Sequence, residues 1–167
     1  MAPTPHSFSI RQYRAADTSA LAALFRASAR SVPTHHYTAS QARAWASTLA
    51  DEAGFGERCA RKSTWIAEIE GRIAGFSDLE ADGHIDLLYV HPDFQRRGVA
   101  RALLEHIEST ARERSLLRLY TEASITARPV FAARGFRVIA PGTVTVGGES
   151  MINYRMEKGL EPLRAEP

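Results

Sequence analysis

The sequence predicts an α+β fold of three layers, a mixed and mostly antiparallel central sheet flanked by helices. Two observations carry the prediction. The segments run as a strand, two helices, a meander of short strands, then strand-helix-strand-helix-strand, which is not the regular alternation of a parallel α/β chain. Turn signals at Glu70-Gly71 and at Ala81-Asp82-Gly83 separate the short middle strands, as in a meander. The 167 residues suit a single domain spanning 1–167, long enough to bury a core.

Each element has a local reason. Phe8 to Tyr13 alternates and reads as a first strand. Asp17 is placed to cap a helix over Ser19 to Ala29, with Leu21, Leu24 and Phe25 on one face. SVPTHHY reads as a loop, and Thr38 with Gln41 has the spacing of a capping box that opens a second helix through Trp45 and Leu49. DEAGFGER, with two glycines, reads as a turn or loop. Thr64 to Glu70 puts Trp65, Ala67 and Ile69 on one side, and Arg72 to Leu79 returns across a tight hairpin. Ile85 to Val90 is the next strand, and a helix follows from about Gly98 to Arg114. Leu117 to Glu122 is a strand, Thr126 to Ala133 a shorter helix, and Gly135 suits its exit. Phe136 to Ile139 and Met151 to Met156 read as two more strands joined by the turn-rich PGTVTVGG. Pro3 and Pro5 predict a loose start, and GLEPLRAEP a loose tail.

Composition narrows the function. The net charge is only +2, so nothing demands nucleic acid, and no apolar run approaches the roughly 20 residues of a membrane span. MAPTPHSFSI lacks the charged start and apolar stretch of a signal peptide. Cys59 is the only cysteine, so no internal disulfide forms, as suits a reducing cytoplasm; no triad partner flanks it, and it reads as structural. His35 and His36 are adjacent, so their side chains diverge, and no third ligand is spaced to make a metal site.

The chemistry concentrates in QRRGVA, Gln95 to Ala100, where a buried strand hands over to a helix. A helix N-terminus leaves its first N–H groups unpaired and carries the positive end of the dipole, and both favour an anion. Gly98 lets an oxygen approach the backbone, Ala100 is nearly as small, and Arg96, Arg97 and Arg101 add charge. Val99, Leu103, Leu104, Ile107 and Ala111 repeat at helical spacing and anchor the helix to a sheet. A solvated helix face is the competing reading of the arginines. A pyrophosphate is the natural ligand, yet the turn lacks both the Gly-Lys-Ser/Thr ending of a P-loop and the three glycines of a dinucleotide fold.

VHPDFQRRGVARALL resembles the acetyl-CoA signature of the GNAT superfamily of N-acetyltransferases, met here by Gln95, Gly98 and Ala100 with a lead-in at Val90 and Pro92. SITARPVFAARGF resembles the later family segment: Ala127 and Gly135-Phe136 match, Ser124 stands where Asn is usual, and Phe131 where Tyr is usual. HYTASQARAWA, HIDLLYV, ASITARP and NYRM are similar to a smaller bacterial branch, the YafP-like acetyltransferases.

The resemblance implies a GNAT fold splayed between its fourth and fifth strands, with acetyl-CoA in the cleft and no metal. Its pyrophosphate would rest on the backbone around Gln95, Arg96, Arg97, Gly98, Val99, Ala100 and Arg101, and its pantetheine arm along Leu88, Tyr89 and Val90. A backbone N–H near Leu88 or Tyr89 would stabilise the oxyanion. Ser124 and Phe131 would complete the cofactor wall. Amine acetylation needs a base, because a primary amine is mostly protonated at neutral pH, and benefits from an acid for the leaving thiolate. His84 and Asp86, two apart and so on one face of a strand, are the candidate base and its helper. Phe131 has no proton to give, which leaves Tyr154, or Tyr120, as the candidate acid. His36, Tyr37 and Trp45 fall in the segment expected to bind the acceptor. The expected activity is transfer of an acetyl group to a primary amine of a small molecule, by direct attack in a ternary complex. Transfer of another acyl group and a non-catalytic acyl-CoA-binding module are the rivals. A cytoplasmic protein is expected, with a homodimer available through an exposed last strand.

Overall fold

The computed structural model describes residues 8–162. The expected loose start at Pro3 and Pro5, and the last five residues of the expected tail, lie outside them. Strand β1 (Phe8–Gln12) is followed by helices α1 (Thr18–Arg30), α2 (Ala39–Ala46) and α3 (Glu52–Arg61), then by β2 (Ser63–Ile69), β3 (Arg72–Leu79) and β4 (Leu88–Val90). Helix α4 (Val99–Glu113), β5 (Arg118–Ser124), α5 (Arg128–Ala133), β6 (Arg137–Val146) and β7 (Glu149–Gly159) complete the order.

The strands form two antiparallel sheets, β1-β2-β3-β4 and β5-β7-β6. Strands β4 and β5 are not paired as strands. The chains leading into them meet at a parallel bridge between His84 and Tyr120, where Ile85 N–H donates to Tyr120 O and Tyr120 N–H to Gly83 O. The sheet is therefore a fork, joined at that bridge and open beyond it, as the predicted splay requires.

Both faces of the first sheet are covered. Trp65, Ala67 and Ile69 of β2 pack with Leu103, Leu104 and Ile107 of α4 in one core cluster. Ile66 and Phe76, on the opposite face, pack with Leu21, Leu24 and Phe25 of α1 and with Phe55 and Cys59 of α3 in a second. Alternation along β2 thus puts apolar residues on both sides, and the three layers follow. Gly75 makes the approach of α4 possible: a Cβ there would lie 2.8 Å from Tyr89 O and 2.8 Å from a Val99 methyl.

Several expectations are corrected. Asp17 does not cap α1: its backbone is already helical, and its carboxylate instead accepts from Arg14 N–H and from the Arg11 guanidinium, at 2.8–2.9 Å. Thr38 and Gln41 do form the capping box of α2. DEAGFGER is the body of α3, not a loop. Asp51 accepts from Gly54 N–H as an N-cap, and Phe55 and Cys59, four apart, are buried on one face, so capping and burial outweigh two glycines. The fourth strand is regular only over Leu88–Val90, because a bulge interrupts it. PGTVTVGG is mostly strand: β6 runs to Val146 and turns at Gly147-Gly148, both at positive φ. Pro141, in the stretch expected to be a turn, is tolerated because β6 is an edge strand. The unpaired edge expected on the last strand lies on β6, since β7 sits between β5 and β6.

Candidate active site

The fork opens into a cleft of about 640 Å³. One wall is the free edge of β4. Tyr89 is paired with Phe76 across β3, and His91 N–H donates to Ala74 O, so the odd-numbered residues bond toward β3. Backbone groups alternate sides along a strand, so the N–H and C=O of Leu88 and Val90 point into the cleft. Ser124, at the end of β5, lies as far past Tyr120 as Leu88 lies past His84, and Leu88, Tyr89, Val90 and Ser124 all line the cleft. An extended chain laid between them would take up the missing strand's hydrogen bonds.

The cleft runs to the start of α4. Gly98 is the N-cap with φ 83°, and Arg96 also has positive φ, the left-handed conformations from which an anion nest is built. Among the described residues a Cβ at Gly98 would meet only the Phe8 ring, at 3.9 Å, so they leave the space before the helix open. Ala102 N–H is the first to be satisfied within the helix, by Gly98 O, which leaves the N–H groups of Val99, Ala100 and Arg101 facing outward. Gln95, Arg96, Val99, Ala100 and Arg101 all line the cleft. Arg97 does not; its guanidinium lies 5.5 Å from the centre of the Phe94 ring. Arg101 forms an ion pair with Glu105 at 2.8 Å.

The far wall comes from α5. Phe131 is not part of it: the ring is buried and packs edge-on against Phe136, with centroids 5.1 Å apart, so Pro129 and Val130 face the cleft instead. That corrects the wall expected at Phe131. Ser124 Oγ accepts from Ala127 N–H at 3.0 Å and stops β5 there. The remaining wall, Ser28, Ser31, Val32 and Pro33 at the end of α1, is drawn from a stretch without motif character; only its position before a loop singles it out.

Of the expected acceptor residues, Trp45 lines the cleft and contacts Tyr89 and Tyr37 edge-on. Tyr37 is buried and structural. Its hydroxyl donates to Ile152 O at 3.0 Å and accepts from Ile125 N–H at 2.8 Å, tying the loop after α1 to β5 and β7, and burial pushes its pKa up. His36 Nδ1 bonds Thr126 Oγ1, a cleft residue, at 2.9 Å. Burial also drives the Tyr89 hydroxyl well above the usual phenol range.

The expected catalytic pair is parted. His84 stacks on Tyr120, and its ring bonds Glu122 at 2.5 Å on one side and faces Glu80 at 3.4 Å on the other. Burial disfavours its charge, but Glu122 and then Glu80 outweigh that and raise its pKa. Asp86 turns to Lys62 at 2.6 Å and Arg58 at 3.4 Å; burial opposes its charge, yet Lys62 holds its carboxyl below the usual range. Neither lines the cleft. Tyr154, opposite Ala123 on β5, lies under the Arg128 guanidinium at 4.4 Å and does not line it either.

A forked sheet with an anion nest at its open end is the architecture of an acyl-CoA-dependent transferase. Residues 33–158 match the acetyltransferase (GNAT) domain, and the chain belongs to that family of acetyltransferases. It is 33% identical over 151 residues to the uncharacterized N-acetyltransferase YafP of Escherichia coli K12, covering 90% of this chain and 95% of that one. It also resembles a crystal structure of a GCN5-related N-acetyltransferase from Rhodopseudomonas palustris, at 37% identity and a TM-score of 0.90, over 94% of this chain and 98% of the other. A PaiA N-acetyltransferase from Thermoplasma acidophilum, solved with coenzyme A, shares the fold at 18% identity and a TM-score of 0.76, over 92% and 99% of the two chains.

Proposed function

We propose that the protein transfers the acetyl group of acetyl-CoA to a primary amine of a small molecule, by direct attack within a ternary complex. The observation that carries this reading is the unpaired edge of Leu88 and Val90, opposite Ser124 and continuous with the open N-terminus of α4. The nest around Gly98 holds the pyrophosphate with main-chain N–H groups and the charge of Arg96 and Arg101. The edge of β4 pairs with the amide groups of the pantetheine arm. Leu88 N–H, pointing into the fork, donates to the thioester oxygen as negative charge builds on it, which is where a fixed donor lowers a barrier most.

The amine meets the thioester between Trp45, Tyr89 and the end of α1. Among the described residues no carboxylate lines that wall, so an acceptor with a single amine fits it better than a polycation. The amine must shed a proton before it attacks. Among the described residues neither imidazole nor carboxylate lines the cleft, so water takes that proton. His84, clasped between two carboxylates, serves the fork rather than the proton. Water, rather than Tyr154, returns a proton to the thiolate. The free thiol of Cys59 fits a cytoplasmic protein.

The test is thiol release from acetyl-CoA across a panel of primary amines, with Gly98→Glu as control. We expect release that depends on the amine, and a KM for acetyl-CoA raised at least about tenfold in the variant, since its carboxylate fills the nest with like charge. Release independent of any amine, or an unchanged KM in Gly98→Glu, sinks the reading.

A further inference from the structure

Asp78 is a buried acid in the middle of an apolar sheet, and the mechanism above leaves it unused. Its side chain is fully buried on β3, an arrangement that is costly unless the carboxylate is bonded and paired. The partners are specific. Oδ1 accepts from Asp86 N–H at 2.9 Å and from Leu87 N–H at 2.8 Å, while Lys62 Nζ reaches Oδ2 at 3.3 Å. Lys62 in turn binds Glu80 and Asp86. Burial raises the carboxyl's pKa, opposed by the Leu87 N–H and by Lys62.

The two N–H groups belong to the segment that should continue β4. In a regular antiparallel ladder Leu87 N–H would donate to the main-chain oxygen of Asp78, because Ser77 lies opposite Leu88. The carboxylate of the same residue takes that bond instead. Only one side of the pair survives, with Asp78 N–H donating to Leu87 O at 3.3 Å. Farther on, Glu80 N–H donates to His84 O. From Ser77 to Glu80 is three steps, and from Leu88 back to His84 is four, so one extra residue is accommodated on the β4 side. That is a β-bulge, and Asp78 fills it. Beyond the bulge the chain leaves β3 and joins β5, with Ile85 N–H donating to Tyr120 O and Thr121 Oγ1 to Ile85 O. The crossing of one chain from the second sheet to the first is what opens the fork. Ser77 Oγ adds a second anchor, donating to Leu87 O at 2.6 Å.

We propose that Asp78 is a positioning residue for acetyl transfer: its carboxylate holds the bulge at Asp86 and Leu87, and so aims Leu88 N–H into the fork. This rests on the reading of Leu88 N–H as the thioester's donor. Asp78 touches neither substrate, and the nest at Gly98 lies on a separate element, so its loss separates turnover from donor binding.

The experiment compares wild type with Asp78→Ala, Asp78→Asn and Ser77→Ala. It reads kcat for thiol release with an accepted amine, affinity for coenzyme A by calorimetry, and amide hydrogen exchange at Asp86 and Leu87. In Asp78→Ala we expect kcat to fall about 10- to 100-fold, the size of effect that displacing a reacting donor by about an ångström produces. The affinity for coenzyme A should stay within about threefold, and the two amides should lose protection. Asp78→Asn keeps an acceptor oxygen and should restore kcat to within about threefold of wild type. Ser77→Ala removes one anchor of Leu87 without stranding a charge, and should lower kcat about threefold or more at unchanged affinity. It decides the matter if Asp78→Ala does not fold. Wild-type kcat in the folded alanine variants, or unchanged protection of Asp86 and Leu87 in Asp78→Ala, overturns the proposal. The exchange result stands whether or not the wild type turns over. A wild type that neither binds coenzyme A nor releases thiol would instead remove the reading of the cleft.

Discussion

His84 shows how one side chain can belong to two sheets. Its ring receives Glu80 from the end of β3 and Glu122 from β5, with Asp86 near enough to add to the field. The Tyr120 ring beneath it donates its own hydroxyl to Asp82. The raised pKa means that the folded protein holds this proton more tightly than the unfolded chain does. Stability from the clasp is therefore complete below about pH 6.5 and lost as pH rises through the raised value. Glu122→Gln should lower Tm by about 2–4 °C near pH 6, and the deficit should shrink as the pH rises past the histidine's titration. Melting curves from about pH 5.5 to 9 check this, and a deficit that does not change with pH would mean that the clasp is not ionic. Cys59 illustrates the opposite case: burial, with Asp78 nearby, pushes its thiol up to about 11, so it stays a core residue, as its neighbours in the sequence suggest. The signature glycine and its flanking residues were legible because a nest needs particular residues. Asp78 was not, since a single acid in AGFSDL says nothing of the two N–H groups it meets; only its being the lone charge in that run hints at a task.

Among the elements, those with strong periodicity read correctly, namely α1, α2, α4, β2 and β3, although the cap expected of Asp17 on α1 is not formed. Those decided by tertiary context did not. Helix α3 survives two glycines because Asp51 caps it and Phe55 and Cys59 bury one face. Strand β6 survives Pro141 because it is an edge strand, and nine of its ten residues pair with β7. The pleat that brings His84 and Asp86 near one another does not make them partners: His84 turns to Glu80 and Glu122, and Asp86 to Lys62 and Arg58. Strand β3 carries a clear consequence at Gly75, where β4 and α4 close in together. Gly75→Ala should cost about 1–3 kcal/mol, because main-chain oxygen and a branched side chain both stand in the way of the new methyl. Thermal or urea unfolding measures it, and a variant as stable as wild type would show that α4 can shift away.

At the scale of the molecule, the two sheets meet along few main-chain bonds, and a ligand laid in the fork would bridge them. Coenzyme A at about 100 times its Kd should therefore raise Tm by about 5–10 °C, from about 2.7 kcal/mol of linkage. No shift at saturating concentration would count against the cleft as its site. The family and the splay were visible in the sequence through two short motifs in the right order; the depth of the splay was not, because it depends on long-range pairing. Each sheet is also drawn from an unbroken length of chain, β1 to β4 before α4 and β5 to β7 after it, and α4 packs on the strands that precede it. The turn at Ser115, held at positive φ, is the seam between them. Severed at that seam, the polypeptide becomes two complementary fragments whose reassembly rebuilds the cleft at their junction, a natural layout for a split reporter of the molecule that joins them.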